Sequence, residues 1–183
     1  MAAHLSAPAF VAERVPANGR WRAAIIGHTG EGDFGHSHDV AFSNRPDIEV
    51  VAVAEPDESG RGQAIARSKA ARGYADYREM LSKEKPELVA LASRWSHERH
   101  AMGRAALEAG AHIYSEKPFT QTLAEADDLL ALAQHYRAKI TVAHQSRLAP
   151  STILMKKALA DGLIGELLEI RAWIRTPPSR RRC

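Results

Sequence analysis

Short apolar runs recur along the chain, separated by stretches whose apolar positions return every three or four residues. That alternation is the sequence sign of βαβ units around a parallel sheet. The runs "RAAII" (22–26), "IEVVAVA" (48–54), "ELVALA" (87–92), "HIYS" (112–115) and "KITVAH" (139–144) read as strands. The first is short and continuously apolar, as a strand buried on both faces should be, and the second is rich in β-branched residues. Helices are predicted over 34–44, 60–71, 76–82 and 96–109. A further helix opens at a Thr122/Glu125 capping box and keeps helical spacing through Leu123, Ala126, Leu129, Leu130, Leu132, Ala133 and Tyr136. Gly110 suits the left-handed position that ends the helix before it. The fold class implied is α/β, a Rossmann-type doubly wound parallel sheet.

After Pro150 the pattern changes. "STILMKKALADG" reads as a helix ended by Gly162, and "ELLEIRAWI" (166–174) as a strand. A helix and one strand cannot bury their own apolar faces. The expected organisation is a leader over 1–20, a dinucleotide-binding domain over 21–149, the opening of a truncated second α/β domain over 150–175, and an irregular basic tail over 176–183. The ending "RTPPSRRRC" breaks the pattern off, and the expectation is a truncated or frame-shifted reading frame.

Composition narrows the function classes. The chain has 183 residues, of which 45% are hydrophobic and 26% charged, enough for a sizeable globular core. No apolar run has the length of a membrane span, and the start lacks a signal peptide's basic opening and long apolar core. The expectation is a cytoplasmic protein with no membrane partner. Arg180, Arg181 and Arg182 account for the whole formal charge of +3, so the body is neutral and nucleic-acid binding is not expected. Cys183 is the only cysteine, which rules out an intrachain disulfide and a cysteine-based metal site. His36 and His38 with Asp39 suggest a metal at first sight. Residues two apart on a helix do not face each other, however, and no matching cluster lies elsewhere, so no metal is expected.

The segment between the first strand and the first predicted helix carries the chemistry. Gly30-Glu31-Gly32-Asp33-Phe34-Gly35 gives G-x-G-x-x-G in the strand–turn–helix setting a dinucleotide loop requires. Gly30 permits the tight turn, Gly32 lets backbone approach a pyrophosphate, and Gly35 allows helix–sheet packing. Gly27 shares the turning role, and Asp33 and Phe34 belong to the same cofactor-binding loop. The positive end of the following helix would then face the phosphates. Glu55 ends the second strand at the spacing where an acid accepts from ribose hydroxyls. A carboxylate there repels a 2′-phosphate by up to roughly 4 kcal/mol at an effective dielectric near 20. NAD is therefore favoured over NADP, with Arg61 the nearby cation able to offset the preference.

A second motif sharpens the reading. Glu116-Lys117-Pro118 follows a strand directly, at the sheet edge where open α/β folds bind ligands. Together with the glycine loop and His38, "ALEAG" (106–110), "HQSRLAP" (144–150) and "LADGLIGELLEIRAW", it makes the chain resemble the Gfo/Idh/MocA family of nicotinamide-dependent oxidoreductases from about Trp21 to Trp173. The resemblance implies that Lys117 projects between nicotinamide and substrate and hydrogen-bonds the hydroxyl being oxidised. It implies that Glu116 holds that lysine or approaches the cofactor, and that His144 and Arg147 lie near the active site. The substrate class implied is a sugar, inositol or related polyol. Where the family shows a T-P-N-type turn, this chain has Ser93-Arg94-Trp95-Ser96-His97, so Arg94, Trp95 and His97 would meet the cofactor's edge. The family's Asp/His pair has no counterpart after Lys117, because His135 lies within a helix and His144 ends a strand.

Two other readings remain open on the sequence. One is a non-catalytic NAD-binding or interaction module that self-associates through the 166–174 run, since an unpaired apolar edge favours association. The other is a methyltransferase using S-adenosylmethionine, in which Glu116-Lys117-Pro118 has no role.

Overall fold

The computed structural model describes residue 16, residues 19–35 and residues 37–171. His36, Cys183, the tail 176–183, residues 172–174 of the expected last strand and most of the expected leader lie outside the described residues. Six strands form one parallel sheet in the order β3-β2-β1-β4-β5-β6. They are β1 (Trp21–Ile26), β2 (Ile48–Ala54), β3 (Arg72–Tyr74), β4 (Leu88–Leu91), β5 (His112–Ser115) and β6 (Ile140–Val142). Helices α1 (Glu58–Ser68), α2 (Tyr77–Glu84), α3 (Arg99–Glu108) and α4 (Leu123–His135) make the crossovers. The chain builds outward from β1 to β3, then returns to place β4 on the other side of β1. The strand order thus reverses between β1 and β4, and the crevice at their carboxyl ends is where this fold class takes ligands.

Both faces of the central strands are covered, so they read as unbroken apolar runs instead of alternating. Ala24 and Ile26 join one buried cluster with Met80, Leu107 and Leu129, while Ile25, between them, joins another with Phe34 and Val53. That split is the two-residue side-chain period of a strand packed on both sides. Helix starts are fixed locally. The Asp57 carboxylate accepts from Gly60 N, Asp76 accepts from Arg78 N, and the Thr122/Glu125 capping box forms as its spacing requires.

Two expectations fail, and one strand is not foreseen. The helix over 34–44 is only a 3-10 turn, His38–Val40. Asp33, Gly35 and Ser37 all take positive φ (52°, 56° and 63°), which prevents an α-helical first turn from nucleating there. The strand β3 was not predicted, because three residues, "RGY", carry no readable period; pairing with Ala52–Ala54 creates it. Residues 166–171 form no strand, since a strand exists only through a ladder and no described strand pairs with them.

The chain divides into two compact units, one ending at Ala143 and the other beginning at His144. In the second, a 3-10 turn (Gln145–Leu148) leads into α5 (Pro150–Ala160). Pro150 occupies the first turn, where its missing N–H costs nothing, and Gly162 follows the helix at φ 71°.

Candidate active site

Residues 27–35 leave β1 as a loop folded on itself. Asp33 N donates to His28 O at 3.0 Å, closing an antiparallel bridge, and Gly30 N donates to Asp33 Oδ1 at 3.1 Å. Gly27 has no room for a side chain: a Cβ there would lie 2.1 Å from the Phe34 ring, which packs down into the core at 7% exposure. At Gly32 a Cβ would fall 2.6 Å from Trp95 N, and at Gly35 it would fall 2.7 Å from Ala92 O and 3.2 Å from Glu116 Cγ. Packing within the protein therefore explains three of the four glycines. Gly30, at φ 83°, alone among them has nothing within 4 Å of its Cβ position and is an open place for a ligand to meet backbone. The expected helix dipole is missing, because no α-helix follows the loop.

Glu55 is fully buried at the end of β2. Its two oxygens accept from Thr29 N at 3.0 and 2.8 Å, and Oε1 also accepts from Asp57 N at 3.0 Å. The acid thus fastens the glycine loop to the start of α1. Arg61 turns back to cap the strand end, donating to Glu55 O at 2.7 Å and Pro56 O at 3.3 Å. Beside Glu55 opens a cavity of about 190 Å³ whose lining includes Gly27, Ala54, Pro56, Tyr77 and Met102. Its mixed apolar walls and Tyr77 ring suit a flat heteroaromatic group. Tyr77 is not singled out from sequence, because the strand that delivers it to this edge carries no readable period.

The loop after β4 closes against the glycine loop. Ser93 Oγ donates to Glu31 O at 2.6 Å and Arg94 N to Gly32 O at 3.3 Å. His97 Nε2 lies 3.5 Å from Glu31 Oε2, and His28 Nδ1 lies 3.2 Å from Glu98 Oε2. Trp95 stays 54% exposed, its ring 6.2 Å from that of His97, and Arg94 is exposed beside it.

The Glu116-Lys117-Pro118 turn leaves β5 with Glu116 fully buried and Lys117 exposed. Its Lys117–Pro118 peptide bond is cis. Glu116 N donates to Leu91 O at 2.9 Å, continuing the ladder with β4. His38 Nε2 sits 3.4 Å from Glu116 Oε2, and the His38 ring stacks on Tyr114 at 4.8 Å. Burial, with Glu116 adding to it, pushes the Tyr114 phenol up. Arg99, at the start of α3, is 2% exposed and donates to the carbonyls of Ser93 and Pro118. Burial pulls its pKa down and the Glu116 carboxylate opposes that shift. Nothing in "SHERHAM" separates Arg99 from an ordinary solvated helix start, so sequence reading passed over it.

The carboxyl ends of β1, β2, β4 and β5 thus gather Gly30, Gly32, Asp33, Glu55, Arg94, Trp95, His97, Glu116 and Lys117, with Gly27, Phe34 and Gly35 packed beneath. His144 and Arg147 belong to the second unit, where both are exposed around the 3-10 turn. Among the described residues no cluster of three or more His, Cys, Asp or Glu could hold a metal ion, and no helix is long and apolar enough to cross a membrane.

Comparison with known proteins places this geometry. Residues 21–144 match the GFO_IDH_MocA family, described as an oxidoreductase family with an NAD-binding Rossmann fold. The chain is 30% identical to D-glucoside 3-dehydrogenase of Escherichia coli over 88% of its length, covering 44% of that protein. It is 28% identical to an inositol 2-dehydrogenase/D-chiro-inositol 3-dehydrogenase of Halalkalibacterium halodurans over 83% of its length, covering 44% of that enzyme. Among solved structures, myo-inositol 2-dehydrogenase from Lactobacillus plantarum matches with a TM-score of 0.72 at 22% identity, over 81% of this chain and 43% of that one. Scyllo-inositol dehydrogenase from Lactobacillus casei, solved with NAD(H) and scyllo-inositol, matches with a TM-score of 0.69 at 18% identity, over 80% of this chain and 43% of that one. The chain spans less than half the length of each of these relatives. Sheet order, edge motifs and the match over 21–144 lead to one conclusion: this chain belongs to the Gfo/Idh/MocA family of oxidoreductases and carries its NAD-binding Rossmann fold.

Proposed function

We propose that the β1/β4 switch point binds NAD and that, in a protein of its relatives' length, this half supports oxidation or reduction of a sugar, inositol or related polyol. The observation that carries the reading is the convergence of three loops on one sheet edge. The open Gly30 backbone, the Glu55 corner with its cavity, and the Glu116-Lys117-Pro118 turn lie at the carboxyl ends of β1, β2 and β5, on one edge of the sheet. In this reading the cavity beside Glu55 takes the adenosine, Gly30 meets the pyrophosphate, and Arg94, Trp95, His97 and Lys117 face the nicotinamide half. The substrate class rests on relatives named as glucoside and inositol dehydrogenases.

When bound, NAD supplies a hydride acceptor or donor at its nicotinamide ring. The protein's part is charge and position. The Lys117 ammonium stabilises negative charge developing on a substrate hydroxyl oxygen, and its Nζ can hold or move the proton of that hydroxyl. Glu116, buried directly before it, fixes the base of the turn. NAD is preferred to NADP because the Glu55 carboxylate opposes a 2′-phosphate, and the Arg61 guanidinium is committed to the carbonyls of Glu55 and Pro56. The test is a titration of the chain with NADH and with NADPH, followed by nicotinamide fluorescence, in wild type and in Gly30→Val. NADH binding that is weakened by Gly30→Val supports the reading. Wild type and variant binding NADH alike would remove the loop from it, and binding of neither cofactor would overturn it.

A further inference from the structure

We infer that Arg99 and His38 are positioning residues that hold the Glu116-Lys117-Pro118 turn, and through it the Lys117 side chain, at the switch-point crevice. The inference rests on the reading of Lys117 as the residue beside the nicotinamide. It comes from two buried polar side chains, Arg99 and His38, that the proposed chemistry does not otherwise use.

Arg99 is among the largest fully buried side chains, and its guanidinium spans two loops. It donates to Pro118 O on the far side of Lys117 and to Ser93 O in the loop after β4, with Trp95 O also in reach at 3.5 Å. A planar fork with several donors can bridge two carbonyls in this way, while an ammonium concentrates its charge at one point. On the near side of Lys117, Glu116 is fully buried and His38 Nε2 lies 3.4 Å from its Oε2. The His38 ring is itself held against Tyr114 and is 2% exposed. Lys117 is therefore exposed between two anchored neighbours, Glu116 on one side and Pro118 on the other. Burying a cation with a carboxylate is tolerable only when both are hydrogen-bonded and paired, so the cluster is sensitive to the exact shape of each member.

These anchors act at the nicotinamide end of the crevice and not at the Glu55 end. A ligand that lacks nicotinamide distinguishes the two. Arg99→Lys keeps the buried positive charge but loses the fork, and His38→Asn keeps a polar side chain but loses the ring. Hydrogen exchange is followed over residues 93–97 and 113–121 and over the central strands in both variants, and NADH and ADP-ribose are titrated separately. The expected result is faster exchange over 113–121, joined in Arg99→Lys by the 93–97 loop that the same guanidinium holds, with the rest of the sheet unchanged, NADH weakened by about tenfold and ADP-ribose unchanged. Unchanged exchange over 113–121 in a folded variant overturns the inference, as does an equal loss of both ligands. Should Arg99→Lys fail to fold, His38→Asn alone decides by the same readings. If the wild-type chain binds neither ligand, it is the reading of the site that fails. The exchange comparison then still decides whether Arg99 and His38 hold the turn.

Discussion

Both carboxylate oxygens of Glu55 accept the backbone N–H of Thr29, at 3.0 and 2.8 Å, and the side chain is withdrawn from solvent. An acid expected to face a ribose is thus also the bolt that holds the glycine loop. Replacing it with glutamine keeps the shape but exchanges a charged acceptor for a neutral one. Glu55→Gln is expected to lower stability by about 1–3 kcal/mol, measured by urea unfolding. A loss of NADH affinity with no loss of stability would mean that the acid serves only the ligand.

The loop's first glycine is set by packing. Because a Cβ at Gly27 would meet the Phe34 ring at 2.1 Å, Gly27→Ala should cost about 1–3 kcal/mol. Adding Phe34→Leu should return part of that loss, so the two changes are expected to be non-additive in a double-mutant cycle. Simple additivity would show that the ring does not set the requirement.

On the opposite side of the sheet edge, Glu84 joins α2 to β3. It accepts from Arg72 Nη2 at 2.6 Å and from the Tyr74 hydroxyl, and it lies 3.4 Å from Arg22 Nη2. The Arg72 contact holds the Glu84 carboxyl below its ordinary range, burial opposes this, and Tyr74 assists. A depressed carboxyl pKa contributes stability that is complete above the unfolded value, about 4.3, and fades as pH falls through the folded one. Glu84→Gln should therefore be less stable than wild type at pH 7 by roughly 1 kcal/mol, since Arg72 is more than half exposed. The gap in Tm should close between about pH 5 and the folded pKa. A gap independent of pH would assign the effect to shape.

Sequence reading recovered the elements whose signals are local. The Thr122/Glu125 box, the runs at β1, β2, β4 and β5, and the edge position of Glu116 and Lys117 all follow from pattern alone. It failed where tertiary contact decides. A helix is expected over 34–44, yet positive φ at Asp33, Gly35 and Ser37 leaves a single 3-10 turn. Gly32 is expected to approach a pyrophosphate and Gly35 to let a helix pack on the sheet, whereas between them they answer to Trp95, Arg94, Ala92 and Glu116, which are distant in sequence. Arg99 was invisible for the same reason: its partners are carbonyls on two other loops.

Lys117 is exposed and has no packing role of its own, so Lys117→Ala should change stability by no more than about 0.5 kcal/mol. In a protein of its relatives' length the same change should abolish polyol-dependent reduction of NAD while ADP-ribose binding persists. Retained turnover would transfer the chemistry to another group.

The central claim is that a dinucleotide lies across the carboxyl edge at the β1/β4 switch point. Amide ¹H–¹⁵N spectra of the chain, recorded during addition of NADH, test it residue by residue. The account predicts saturable shifts at Gly30, Asp57, Arg94, Trp95 and Lys117, with Glu87 and His112 at the opposite edge unmoved. Shifts confined to that opposite edge, or none at any concentration reached, would contradict it.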